Sequence, residues 1–139
     1  MAPRETIAHL KAVPLFANCS AKQLRLIAEH GWEQEYPVGH ILCEQGKRGD
    51  EFFVIVDGSA RASRRGRTLR TFGPGDFFGE IGLLDNGERT ATVTATTPVR
   101  CFILRRSDFK AAIYSEDIAV KLLYTMAQRL RAEITPEHD

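Results

Sequence analysis

The stretch Phe77-Phe78-Gly79-Glu80-Ile81-Gly82-Leu83-Leu84-Asp85-Asn86-Gly87-Glu88-Arg89-Thr90-Ala91-Thr92-Val93 is the most informative in this chain. Gly79 permits close backbone approach, and Glu80 to Leu84 suit a short helix. The N-terminus of such a helix presents unpaired N–H groups that favour an anion such as phosphate. Arg89 adds a planar fork of donors suited to bidentate phosphate recognition. Glu80 offers an acceptor for a sugar hydroxyl. Together they describe a site for a group that carries both phosphate and ribose. The plainer alternative is a Glu80–Arg89 ion pair beside a turn, and spacing alone leaves both open.

Outward from this stretch, the hydrophobic period divides the chain into three zones. Up to residue 31 it is helical: Ser20 with Gln23 makes a capping box, and Leu24, Ile27 and Ala28 form an apolar stripe. Pro14 separates that helix from a shorter one around Ile7 to Lys11. From 32 to 105 the pattern changes to short strands punctuated by glycine, including Phe52 to Val56, Thr90 to Thr96 and Val99 to Leu104. Close turn signals between short strands predict an antiparallel β-barrel or sandwich. From 106 to 133 the helical period returns with Phe109, Ala112, Ile113, Ile118, Leu122, Met126 and Leu130. The expected class is α+β, mainly β, with helices before and after one barrel in the chain and packed on one side of it. Residues 1–139 are read as a single domain.

Composition excludes several classes. With 43% hydrophobic and 27% charged residues the chain suits a globular fold rather than disorder. A net charge of +1 gives no general reason to expect nucleic acid as a partner. No stretch approaches the roughly 20 apolar residues that span a bilayer, so no membrane partner is expected. Cys19, Cys43 and Cys101 are scattered and imply neither a disulfide framework nor zinc, which fits a reducing, cytoplasmic setting. His9, His30, His40 and His138 lack the clustering of a metal-dependent barrel, so no metal is expected. No nucleophile–base pair is visible, and an enzyme is not expected.

The run Phe78 to Val93 resembles the phosphate-binding cassette of the cyclic nucleotide-binding domain family, found in kinase A regulatory subunits, nucleotide-gated channels and catabolite activator-type regulators. It follows that pattern over sixteen positions without a gap. A second signature lies upstream: Val38-Gly39, Ile41, Gly46, Gly49-Asp50, Phe52 to Val56 and Gly58. The resemblance implies an eight-stranded jelly-roll barrel flanked by N- and C-terminal helices, as in a stand-alone bacterial-type cAMP-binding module.

By position, the resemblance implies that Arg89 binds the exocyclic phosphate oxygens and Glu80 the ribose 2′-hydroxyl. Gly79 and Ala91 would add backbone N–H groups, with Phe78, Ile81 and Gly82 completing the cassette. Thr90 would reach the phosphate or, with a syn base, the guanine amino group. The base pocket or lid would draw on Ala62, Arg70, Leu123, Ala127, Arg129 and Leu130. Alternation places Arg70 with Thr68 and Phe72, either snorkelling from the pocket mouth or packing on the purine. Glu88 stands where the family often has proline, bringing a negative charge near the phosphate site.

The implied function is a receptor that binds cAMP in preference to cGMP, needs no cofactor, and signals to an effector protein through its last helix. That helix would also offer a surface for a homodimer. The alternatives are a nucleotide-unresponsive interaction domain of the same fold, or a regulatory fragment of a larger channel or regulator. The residues up to Asp139 leave no room for a helix-turn-helix. Arg61, Arg64, Arg65, Arg67 and Arg70 surround Gly66 and read as a solvated hairpin tip rather than an anionic docking patch.

Overall fold

The computed structural model describes residues 4–79, 88–108 and 118–134, the side chains of residues 119, 129, 130 and 132–134 excepted. Glu80, Ile81 and Gly82 therefore lie outside the described residues, as does most of the helix expected between Ser107 and Ser115.

The N-terminal helices form where the local signals place them. Helix α1 spans Arg4–Lys11, a 3₁₀ turn spans Pro14–Phe16, and α2 spans Ala21–His30. Ser20 Oγ accepts from the Gln23 N–H while Gln23 Oε1 accepts from the Ser20 N–H, so both arms of the capping box are closed. Such a cap contributes about 1 kcal/mol.

Among the described residues eight strands follow: β1 (Trp32–Tyr36), β2 (Ile41–Cys43), β3 (Glu51–Asp57), β4 (Ala60–Arg64), β5 (Arg67–Phe72), β6 (Phe77–Phe78), β7 (Thr92–Ala95) and β8 (Val99–Arg105). They form two antiparallel four-stranded sheets, ordered β1-β8-β3-β6 and β2-β7-β4-β5. Among the described residues no ladder joins the sheets, so of the expected barrel or sandwich the two-sheet arrangement is the one seen. Helix α3 (Ile118–Ile134) ends the described chain.

Two cores share the β3–β8 pair, and strand alternation sorts the residues between them. Phe53, Ile55, Cys101 and Ile103 face into the sandwich with Phe78, Ala60, Ala62, Phe72, Val93 and Ala95. Phe52, Val54, Phe102 and Leu104 face the helices, packing with Leu10, Leu15, Phe16, Leu24, Ile27, Ile118 and Leu122. Burial on both faces explains why Phe52 to Val56 is apolar without alternation. Each such side chain contributes about 1.5–3 kcal/mol on burial.

One register differs from simple alternation. Ser63 opposes Thr68 while Ala62 opposes Arg70, which leaves Leu69 as the extra residue of a bulge. Arg70 therefore shares a face with Phe72 but not with Thr68, correcting the expected grouping.

Candidate functional site

Arg89 is the best-buried cation among the described residues, with 8% relative exposure. Its backbone is anchored first: the Arg89 N–H donates to the Lys47 carbonyl at 2.8 Å, and its carbonyl accepts from the Gly46 N–H at 3.0 Å. Arg48 and Glu88 form an isolated antiparallel bridge beside them. The guanidinium then donates through Nη2 to the Glu51 carbonyl at 2.8 Å and through Nη1 to the Gly79 carbonyl at 3.3 Å. Among the described residues it has no carboxylate partner.

Two glycines make room for this side chain. A Cβ on Gly49 would stand 2.6 Å from Arg89 Nη2. A Cβ on Gly79 would stand 3.0 Å from Arg89 Nη1 and 2.7 Å from the Glu51 carbonyl, at a φ of +90°. Contacts this short force displacement, and the positive φ adds its own preference for glycine. Gly49 belongs to the upstream signature and Gly79 to the downstream one. The arginine is where the two signatures meet.

The guanidinium borders a cavity of about 120 Å³, lined by Cys43, Ala62, Phe72, Phe78, Gly79, Glu88, Arg89, Thr90, Ala91 and Val93. Its floor is aromatic: Phe78 stacks on Phe53 at 4.9 Å between centroids and meets Phe72 at 5.2 Å. The cavity thus joins an apolar, ring-lined wall to one buried fork of N–H donors. That combination suits a flat heterocycle carrying an anionic group.

Of the residues expected at the site, Phe78, Gly79, Arg89, Thr90, Ala91 and Ala62 line this cavity together. Glu80, Ile81 and Gly82 fall outside the described residues. Glu88 is exposed and belongs to the lining, next to Arg89 in sequence. Arg70 is not part of the lining. Its guanidinium lies 4.9 Å over the Phe72 ring and 3.6 Å from Asp76 Oδ1, with its side chain 52% exposed.

Of the expected lid residues, the two whose side chains are described stand away from the cavity. Leu123 is 65% exposed and Ala127 is exposed, and neither lines the cavity. The side chains of Arg129 and Leu130 are outside the described set. Helix α3 instead buries Ile118, Leu122 and Thr125 on the helical side of the sandwich. Asn18 Nδ2 donates to Thr125 Oγ1 at 2.9 Å, and Lys121 Nζ donates to Gln23 Oε1 at 2.8 Å, tying α3 to the start of α2.

Sequence reasoning missed three features. The Glu51 carbonyl is a backbone partner that no side-chain pattern announces. Cys43 and Phe72 join the lining only because β2 and β5 share one sheet with β7. Arg64 reaches the cassette, its Nε donating to the Thr90 carbonyl at 2.8 Å, so the basic hairpin is tied to the site.

Comparison with known proteins agrees with this geometry. The family model described as cyclic nucleotide-binding domain matches residues 33–116. The cyclic AMP receptor protein of Thermus thermophilus is 33% identical over 128 residues, covering 88% of this chain and 59% of the relative. A cGMP-dependent protein kinase, isozyme 1, of Drosophila melanogaster is 37% identical over 112 residues, covering 75% of this chain but 15% of the kinase. The crystal structure of the N-terminal domain of a transcriptional regulator from Streptomyces coelicolor A3(2) superposes with a TM-score of 0.75 at 30% identity, covering 94% of this chain and 96% of that one. The chain thus spans less than two thirds of either of these two curated relatives.

Proposed function

The chain belongs to the cyclic nucleotide-binding domain family, and we propose that it binds a cyclic nucleotide, cAMP in preference to cGMP, as a regulatory module. One observation carries this: Arg89 is held at 8% exposure by two backbone carbonyls, at the wall of a ring-lined cavity. A buried cation is costly unless an anion meets it. A cyclic phosphate supplies the charge and the paired oxygens that the fork accepts. Glu80 takes the ribose 2′-hydroxyl, and Gly79 and Ala91 add backbone donors. The apolar wall of Cys43, Ala62, Phe72 and Val93 favours adenine, because guanine brings more polar groups to desolvate. Thr90, exposed at the rim, serves the phosphate or a syn guanine.

Signalling runs through the last helix. Docked as it is on the 3₁₀ turn and α2, α3 keeps Val120, Leu123 and Tyr124 exposed on one stripe. Ligand shifts the population towards a state in which that stripe covers the base or meets a partner, whether an effector protein or a second copy. The setting is cytoplasmic, and no catalytic step is assigned to the chain. Among the described residues no helix is long and apolar enough to cross a membrane.

A second reading, a domain of this fold that does not respond to nucleotide, draws on Glu88, an acidic residue of the cavity lining immediately before Arg89. Calorimetric titration with cAMP and cGMP separates the two. Saturable binding with cAMP the tighter ligand supports the proposal, and no heat with either nucleotide overturns it. Whether the module serves a larger channel or regulator is settled by the extent of its reading frame.

A further inference from the structure

The β4–β5 hairpin carries a charge that the nucleotide site does not use. Residues 58–75 contain five arginines and no acidic residue, in a chain whose net charge is +1. All five are exposed. Arg70 has Asp76, and Arg64 donates to the Thr90 carbonyl. Arg61, Arg65 and Arg67 have no carboxylate partner among the described residues.

The turn itself is built against ordinary preference. Arg64 and Arg67 are direct cross-strand partners, and like charges so placed repel. Arg65 sits at a φ of 52°, a left-handed position that favours Asn, Asp or Gly, followed by Gly66 at 80°. The two-residue turn thus carries Arg65 in an unfavoured conformation between a like-charged cross-strand pair. An anion shared among them offsets that repulsion. Arginine rather than lysine provides paired donors for carboxylate or phosphate oxygens.

Among polyanions, the surroundings favour an extended peptide. Among the described residues strand β5 is the outer strand of its sheet, an edge that can hydrogen-bond a further strand. No aromatic residue lies between 58 and 71, which leaves no stacking platform for nucleic-acid bases. Leu69, at 50% exposure, is the single large apolar side chain exposed on the hairpin, too little to insert into a bilayer. We propose that the β4–β5 hairpin is a docking site for an acidic or phosphorylated extended segment of a partner protein, gripped by Arg65 and Arg67 along the edge of β5.

The test uses the full chain without nucleotide, so its outcome is independent of cyclic nucleotide binding. The probe is a fluorescein-labelled eight-residue peptide alternating aspartate and phosphoserine, followed by anisotropy. Its neutral asparagine–serine counterpart, a twelve-residue oligothymidylate and phosphatidylserine vesicles serve as competitors. Micromolar binding that weakens at least tenfold as salt screens the charges supports the proposal. So does a loss of at least tenfold in Arg65→Asp/Arg67→Glu, a variant that removes the repulsion and suits the turn, and is therefore expected to melt no lower than the parent. Arg65→Lys/Arg67→Lys keeps the charge but not the fork, and should lose several-fold. Arg64 is left intact because it braces Thr90. Absence of peptide binding at low salt overturns the proposal, as does unchanged affinity in the charge-reversed variant. Tighter binding of oligothymidylate or vesicles than of the peptide also overturns it.

Discussion

Replacing Arg89 with leucine removes a guanidinium that is 8% exposed and bound to the Glu51 and Gly79 carbonyls. If this group meets the cyclic phosphate, its loss costs about 2–5 kcal/mol of binding, including the penalty on the partner left unpaired. At ~1.4 kcal/mol per tenfold, that is about 30- to several-thousand-fold in cAMP affinity. Folding suffers as well, because two part-buried carbonyls lose their donor, at roughly 1–3 kcal/mol each if water does not replace it. The corresponding fall in melting temperature is on the order of 5–15 °C. Arg89→Lys keeps the charge without the fork and should recover part of both losses. Calorimetric titration and thermal melts on the same variants separate the two effects. A folded Arg89→Leu protein with near wild-type cAMP affinity refutes the assignment, and lost stability with retained affinity makes Arg89 a structural clamp alone.

Gly49→Ala leaves the backbone unstrained but places a Cβ 2.6 Å from Arg89 Nη2; titration should show cAMP affinity down about tenfold or more, equal to ~1.4 kcal/mol, with Arg89 still present. Burial alone would raise the Glu33 carboxyl, but hydrogen bonds from His9, Thr6 and Arg100 hold it below its ordinary value of 4.5. A depressed folded pKa stabilises above that ordinary value and is lost as pH falls through the folded one. Glu33→Gln should therefore flatten the acid limb of stability measured by melts from pH 6 downwards, and an unchanged limb would discount the network. Burial, with Cys43 nearby, pushes the Cys101 thiol up to about 12, so iodoacetamide at about pH 8 should label it only after denaturation. Leu123→Ser alters a side chain 65% exposed and should leave the melting temperature nearly unchanged; weakened cAMP binding would place Leu123 in a closed lid, and unchanged binding would remove it.

Local patterns carried the elements whose causes are local. Ser20 and Gln23 marked the start of α2 because a capping box is complete within four residues. Period and glycine spacing marked the strand zone between Trp32 and Arg105, and the two signatures marked the family. What they left open was everything decided by non-local pairing. The two-sheet arrangement depends on ladders between distant strands, and a single extra residue at Leu69 breaks the alternation that placed Arg70. The docking of α3 depends on Asn18 and Gln23, about a hundred positions upstream of Lys121 and Thr125, so no helical periodicity could locate its partners. Arg89 shows the division most clearly. The sequence alone determined that a cation follows the Phe-Gly-Glu run at this spacing. Only the tertiary structure buried it, because the carbonyls of Glu51 and Gly79 and the bare Cα of Gly49 reach one guanidinium when three separate chain segments fold together.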